Sequence, residues 1–339
     1  MAHQPLARRP LAVEPLAMIS VWPPLGDCWF LTGPTASGKS PVGVELAELL
    51  GAEIISMDSM ALYRGMDIGT AKPSVAERQR VPHHLVDILE PHEEYSLAEY
   101  VAAAHQAAKA IRQRGRQALF VGGTPLYLKA LLRGMFRGPP ADPQLRQQLA
   151  EEERRFGPGH LHRRLAAVDP VAAGRLHPND VRRLVRALEV YAKTGRPISE
   201  FQHQFAGPRA SATRVFVLHW PRRELYQRID QRVEAMFRAG LVDEVKRLAS
   251  GPLPLSHTAR QALGYREVLQ HLAGRYDLPT TIELVKTHTR QFAKRQGTWF
   301  RSLSECRFVP VADPMDPREV AERLAALAQM QQPSDNAPP

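Results

Sequence analysis

The sequence predicts an α/β fold: a core on a mostly parallel sheet, interrupted by an inserted all-helical domain. Three observations predict it. The apolar run Cys28 to Thr32 leads through a glycine-rich loop into Val42, Leu46, Leu49 and Leu50 at helical spacing, closed by Gly51. Two more runs of strand type follow, Glu53 to Ser56 and Ala118 to Val121. Residues 141–205, in contrast, carry helical patterns and no strand runs.

The core therefore takes 26–140 and 206–328, with 141–205 as the insertion. Residues 1–25 read as a disordered extension, because Pro5, Pro10, Pro15, Pro23 and Pro24 interrupt any helix. Pro10, Glu14 and Pro15 also break the apolar region that a signal peptide needs, and Met18 offers an alternative start. Residues 329–339 read as a disordered tail. No stretch is long and apolar enough to span a membrane. Two cysteines, Cys28 and Cys306, exclude a disulfide framework and a Cys-rich zinc site, and fit a cytoplasmic protein. His83, His84, His160 and His162 make no metal set with them and read as structural or surface residues. With 45 Lys and Arg against 35 Asp and Glu, the net charge is +10, a field that favours polyanionic partners.

The loop after the first strand is Gly33-Pro34-Thr35-Ala36-Ser37-Gly38-Lys39-Ser40, the phosphate-binding pattern G-x-x-x-x-G-K-S between a strand and a helix. Its glycines let consecutive backbone N–H groups point into one concavity. Lys39 adds a positive charge, the helix N-terminus adds its dipole, and Ser40 can ligate Mg²⁺. The core is thus P-loop NTPase-like. A nucleotide hydrolase or kinase also needs a strand that ends in an acid for magnesium. Here Ala118 to Val121 runs into Gly122-Gly123-Thr124, a hydroxyl in place of a carboxylate. The acid lies past another strand, at Asp58. Two readings of Asp58 stand: a base acting on a second substrate at the ligand-binding edge of the sheet, or a helix N-cap.

Cations cluster on three helices. Val181, Leu184, Val185, Leu188 and Tyr191 form the stripe of a helix begun at Asn179 or Asp180 and ended by Gly195 and Pro197, with Arg182, Arg183 and Arg186 off its apolar centre. Arg228, Arg232 and Arg238 share a helix with Ile229, Val233 and Met236. Lys286, Arg290 and Lys294 recur every four residues with no acid between them, leading to Arg295, Trp299, Phe300 and Arg301. Such faces bind phosphates and unstacked bases, or are simply solvated.

The segment Asp58-Ser59-Met60-Ala61-Leu62-Tyr63-Arg64-Gly65-Met66-Asp67-Ile68-Gly69-Thr70-Ala71-Lys72-Pro73 closely resembles the signature block of tRNA dimethylallyltransferases. The loop 33–40, Pro82 to Leu85, Gly122 to Leu128, His177 to Val190, Gly264 to Arg266 and Lys294 to Arg301 resemble further family blocks, in the family's order. Ala61 departs from the Gln that many members carry, which bears on contacts around the target base. The eukaryotic members' C-terminal zinc finger is missing, as in bacterial-type enzymes. The resemblance implies a cytoplasmic monomer that moves a prenyl group from dimethylallyl diphosphate, with Mg²⁺, to an adenine in the tRNA anticodon stem-loop. It implies Asp58 as base, Thr124 as the residue orienting the leaving group, and Arg232 with the loop as its stabilisers. It also implies tRNA contacts at Asp58, Ser59, Met60, Ala61, Thr124, Arg146, Arg182, Arg183, Leu184, Val185 and Arg186. Further along, it implies them at Gln261, Ala262, Leu263, Gly264, Tyr265 and Arg266, and at Lys294, Arg295, Gln296, Gly297, Thr298, Trp299, Phe300 and Arg301.

Overall fold

The computed structural model describes residues 21–201 and 214–330. Its elements begin with β1 (Val21–Trp22), β2 (Trp29–Thr32), α1 (Lys39–Leu50), β3 (Ala52–Ser56), α2 (Val75–Arg80), β4 (His83–His84) and α3 (Leu97–Gln113). Then come β5 (Gln117–Gly122), α4 (Pro125–Arg133), β6 (Met135–Phe136), α5 (Pro143–Phe156), α6 (His160–Val168), α7 (Pro170–Ala173) and α8 (Val181–Thr194). The chain continues with β7 (Val215–His219), α9 (Arg222–Arg238), α10 (Leu241–Ala249), α11 (His257–Arg260) and α12 (Tyr265–Leu272). It closes with α13 (Leu278–Arg301), β8 (Arg307–Pro310) and α14 (Pro317–Gln329). Two compact units divide the described chain, 24–132 with 214–330 and 21–23 with 133–201.

The larger unit is a six-stranded sheet in the order β4-β3-β5-β2-β7-β8, parallel throughout. Strands β2 and β3 are buried at every position. That is why neither alternates apolar with polar: helices cover both faces of a parallel sheet, and the buried Glu53 within β3 is held by Arg114 and His84. Val42, Leu46 and Ala47 of α1 pack with Ala321 and Leu324 of α14 and with Ile229 and Val233 of α9, around Leu31, Leu119 and Phe216. A second cluster gathers Leu62, Tyr63 and Met66 against Leu241, Val245 and Tyr265. Helix α1 ends at Gly51, whose φ of 58° is the left-handed stop expected of a glycine there.

The smaller unit is helical, with one departure from expectation. Val21–Trp22, assigned from the sequence to the extension, pairs antiparallel with Met135–Phe136, so the unit begins before residue 141 and includes a short two-stranded ribbon. The guanidinium of Arg137 lies 3.4 Å from the Trp22 ring centroid, covering that ribbon. Helices α5 to α8 close around Leu149, Leu161, Leu165, Leu184 and Leu188. Asp180 caps α8 by accepting from Arg183 N, and Gly195 stops it in the left-handed conformation. Among the described residues no helix is long and apolar enough to cross a membrane. Residues 1–20 and 331–339 of the extension and tail lie outside the described residues, whereas α14 runs to Gln329.

Candidate active site at the carboxyl edge of the sheet

The glycine-rich loop joins β2 to α1 at the edge where parallel sheets bind ligands. Its curvature is fixed by hydrogen bonds from outside itself. Trp220 Nε1 donates to Ser37 O at 2.9 Å, and Arg228 Nε donates to Ala36 O at 3.1 Å. Arg228 is held in turn by Asp313 at 2.7 Å and lies over the Trp220 ring. Gly38 has φ 82°, a left-handed conformation that favours glycine, and it packs beneath the Met315 side chain. Lys39 Nζ reaches back to Pro34 O at 3.3 Å. The Ser37 hydroxyl is buried without a hydrogen-bond partner among the described residues.

Strands β3 and β5 are neighbours, and their ends bring Asp58 and Thr124 together. Met57 N donates to Val121 O at 2.8 Å, and Thr124 N donates to Met57 O at 3.1 Å. The strands' ends approach so closely that a Cβ on Gly122 would lie 2.2 Å from the Met57 carbonyl, and only glycine fits. Ser59 N then donates to Thr124 Oγ1 at 3.1 Å. Asp58 accepts from Met60 N at 2.9 Å in a tight turn. No helix starts there, since the next one begins at Val75, so the N-cap reading of Asp58 is excluded.

The irregular segment from Asp58 to Pro73 is tied down by two buried charges. Lys72 Nζ donates to Tyr63 O at 2.7 Å and to Asp67 and Asp87 at 2.6 and 2.5 Å. Glu244, from α10, accepts from Asp67 N, Ile68 N and Gly69 N at 3.0, 2.9 and 3.2 Å, and from the Tyr265 hydroxyl at 2.6 Å. Backbone groups that a sheet or helix would pair are satisfied here by side chains. Behind Asp58, Tyr100 stacks on Tyr127 with centroids 3.6 Å apart. Burial, with Asp58's charge among the lesser causes, pushes both phenols up, so neither serves as a base near neutrality.

Lys39, Ser40, Asp58 and Gly122 line a pocket of about 40 Å³ together with Ile54, Ala61, Val121, Ala71 and Pro73. Burial, and next the charge of Arg232, draw the Lys39 ammonium down to about 8, with Asp58 opposing. Arg232 is also pulled down, mainly by burial, with Asp58 opposing and Arg228 adding to the effect. Its Nε is buried and unpartnered among the described residues. Two desolvated cations, with the Asp58 carboxylate as the acid acting on both, make a strong anion cradle. Because Lys39 is protonated only below about 8, its contribution to anion binding should fade above that pH. Calorimetric titration with inorganic pyrophosphate at pH 7 and pH 9 checks this: the affinity gap between wild type and Lys39→Ala should shrink at the higher pH.

The helical face proposed on α13 changes character. Lys286 pairs with Glu234 at 2.9 Å and Glu283 at 2.8 Å, and Arg290 pairs with Asp230 at 2.9 Å. Asp230 and Glu234 come from α9, so two of the three cations are interhelical ties, not a solvated or RNA-facing stripe. Lys294, Arg295, Thr298, Trp299 and Arg301 are exposed, Gly297 is half-buried, and Gln296 and Phe300 are buried. Arg228 and Arg232, read as a possible solvated face, turn instead toward the loop, while Arg238 stays exposed. Ser59 and Met60 are half-buried and Ala61 is buried. Near α12, Gln261 is exposed and Leu263 half-buried, whereas Ala262, Gly264 and Tyr265 are buried. Arg266 is engaged by Glu267 and His288.

In the helical unit, Leu184 and Val185 belong to the core, so their side chains are not available to RNA. Arg146 and Arg186 both bond the buried carboxylate of Glu189, which drops to about 2. Burial opposes that drop, and the hydrogen bonds from Arg146 and from the Asp142 amide outweigh it. Arg183 pairs with Asp180, and Arg182 is exposed. His83 and His84 bond Val81 O and Glu53, and His162 bonds Ala173 O. Trp220 and the partners of Gln296 left no sign in the sequence, which showed Arg228 only as one cation on a helical face. Their function is to hold loop backbone, for which residue type alone carries no signal.

The family model of the IPP transferases matches residues 61–303. The tRNA dimethylallyltransferase of Geobacter metallireducens is 49% identical over 279 residues, 82% of this chain and 90% of that protein. The solved tRNA isopentenylpyrophosphate transferase of Bacillus halodurans is 36% identical with a TM-score of 0.63, covering 89% of this chain and 96% of that one. A eukaryotic dimethylallyltransferase solved acting on tRNA is 28% identical, with a TM-score of 0.75 over 92% of this chain and 82% of its own. With a family model matched over more than half its length and relatives this similar over most of it, the chain belongs to the IPP transferase family.

Proposed function

We propose that the protein transfers the dimethylallyl group of dimethylallyl diphosphate to N6 of the adenine 3′-adjacent to the anticodon, in tRNAs reading codons that start with U. The products are N6-isopentenyladenosine and diphosphate. The observation that carries this reading is the pairing of a phosphate loop with Asp58 and Thr124 across one sheet edge, at strands β2, β3 and β5. Incubation with unmodified tRNA and dimethylallyl diphosphate, followed by nucleoside mass analysis, tests it. Absence of the prenylated nucleoside would refute it.

The N6 lone pair is delocalised into the ring, so the amine needs a base. Asp58 has one carboxylate oxygen in the turn to Met60; the other can accept the N6 hydrogen bond and then the proton as N6 bonds to the allylic carbon. The bond from that carbon to the diphosphate oxygen breaks, and the oxygen keeps the electron pair. Loop amides, Lys39 and Arg232 hold the departing charge, and Thr124 orients it. Mg²⁺ fits the donor set. Ser40 is a hard oxygen donor on this pocket beside Lys39, and Mg²⁺ commonly takes one or two protein ligands with phosphate and water completing its shell. When bound, it would neutralise part of the diphosphate charge.

The acceptor is a tRNA anticodon stem-loop, and the protein works as a cytoplasmic monomer. For RNA, the exposed cations and ring on α13 are the support: Lys294, Arg295, Trp299 and Arg301. Reversing Lys294, Arg295 and Arg301 to Glu should weaken tRNA binding and flatten its salt dependence, by roughly one unit of slope per lost phosphate contact. Pyrophosphate affinity should hold. Lys286→Glu and Arg290→Glu should instead lower the melting temperature, because each sets a like charge against α9. An unchanged salt slope in the first triple variant would make that face ordinary surface.

A further inference from the structure

Resting on the transferase reading above, we propose that Gln296 is a positioning residue that sets the phosphate loop against the loop carrying Thr124, and so the leaving group against the base. Its side chain is buried, and its two ends bond opposite walls of the site. Nε2 donates to Gly123 O at 2.6 Å, and Oε1 accepts from Thr35 N at 2.9 Å. One amide therefore spans the turn after β5 and the turn after β2. The same bond consumes the Thr35 N–H, which is one of the loop amides a phosphate would otherwise engage. Ser37 N is likewise taken, by Pro34 O, so Lys39, whose Nζ also reaches back to Pro34 O, is the main charge the loop turns toward the pocket.

Geometry makes the bridge specific. A Cβ on Gly123 would lie 2.8 Å from Gln296 Nε2 and 3.4 Å from Lys39 Cε, so the amide, the Thr124 loop and the lysine meet at one point. Gln296 sits on α13, which Arg290 and Lys286 tie to α9 through Asp230 and Glu234, the helix that carries Arg228 and Arg232. A shift of about 1 Å between reacting groups can cost on the order of 10²-fold in rate. The uncharged amide both donates to the carbonyl and accepts from the N–H across this span, which neither a carboxylate nor a thioether does.

The test compares Gln296→Met and Gln296→Glu with wild type in steady-state prenyl transfer and in binding of inorganic pyrophosphate and tRNA. Gln296→Met keeps the volume and loses both bonds. Its kcat should fall roughly 10- to 100-fold, with tRNA affinity within about twofold, because the exposed neighbours on α13 are untouched. Gln296→Glu keeps the acceptor for Thr35 N but faces Gly123 O with a carboxylate. Its kcat relative to wild type should be lowest near pH 8 and recover toward pH 6, as the protonated carboxyl regains the donor. That acid recovery separates positioning from packing, and it stands even should Gln296→Met fold poorly. Wild-type kcat in the Met variant would overturn the proposal, as would a pH-independent deficit in the Glu variant. So would a loss of tRNA affinity that matches the loss of kcat. Wild-type protein without transfer activity would refute the transferase reading itself, independently of the variants.

Discussion

Lys39→Ala abolishes prenyl transfer, by roughly 10³-fold or more, while the protein stays folded. A single oxyanion donor is commonly worth 10²–10³ in rate, and Lys39 is a full charge in a half-buried site. The loop does not depend on it for shape. Trp220, Arg228 and Gln296 hold the backbone from three sides, and Lys39 adds one bond to Pro34 O. The melting temperature should hold or rise. Burial and the neighbouring Arg232 hold the ammonium near 8, below its ordinary value, so the folded protein bears its charge at a cost around neutral pH. The same variant separates two chemistries of a phosphate loop. A transferase releases pyrophosphate in step with prenylated adenine and hydrolyses no ATP, with or without tRNA. Here β5 ends at Gly122 and runs on through Gly123 and Thr124, without the acid that would position magnesium and water for hydrolysis. Steady ATP turnover by the wild type, lost in Lys39→Ala, would replace the transferase with a kinase or ATPase.

Asp58→Asn should lower turnover by roughly 10²–10⁴-fold, the range of general-base catalysis. The asparagine keeps the turn, since its oxygen can still accept from Met60 N, as the carboxylate does at 2.9 Å. It cannot take the N6 proton. The substitution also removes a negative charge beside Lys39 and Arg232, whose ammonium and guanidinium it stabilises. Pyrophosphate should therefore bind at least as tightly, and tRNA affinity should be nearly intact. Single-turnover rates with saturating tRNA isolate the chemical step from these binding effects. A variant that turns over at the wild-type rate would remove Asp58 from the mechanism.

Local features of the site were legible in the chain itself. The strand, glycine loop and helix from Cys28 to Gly51 obey spacing rules that act within a dozen residues, and β2, α1 and the Gly51 stop fall where those rules put them. The α8 caps at Asp180 and Gly195 were legible for the same reason. The missing acid after Val121 could be read directly, because it is a statement about residue type at a strand end. The ribbon of Val21–Trp22 with Met135–Phe136 was not legible. Two-residue strands leave no periodicity, and their partners lie over a hundred positions apart.

Tertiary structure decided everything that depends on which residue stands opposite another. The four-residue spacing of Lys286, Arg290 and Lys294 fixes that they share a helical face, since the helix repeat is local. Only the packing of α13 on α9 puts Asp230 and Glu234 across from two of them and turns a presumed RNA stripe into interhelical ion pairs. The same holds within single motifs. Trp299 and Phe300 are adjacent in sequence, yet one is exposed and the other wholly buried, because successive helical residues point about 100° apart and one side faces the core. Likewise Asp58 and Thr124 carry no mark of proximity in the chain. Their meeting follows from the pairing of β3 with β5, which the Met57–Val121 and Thr124–Met57 backbone bonds carry past the strand ends. Sequence determined the chemical groups and the local frames that present them. The pairing of those groups is a non-local choice, made by sheet order and helix packing.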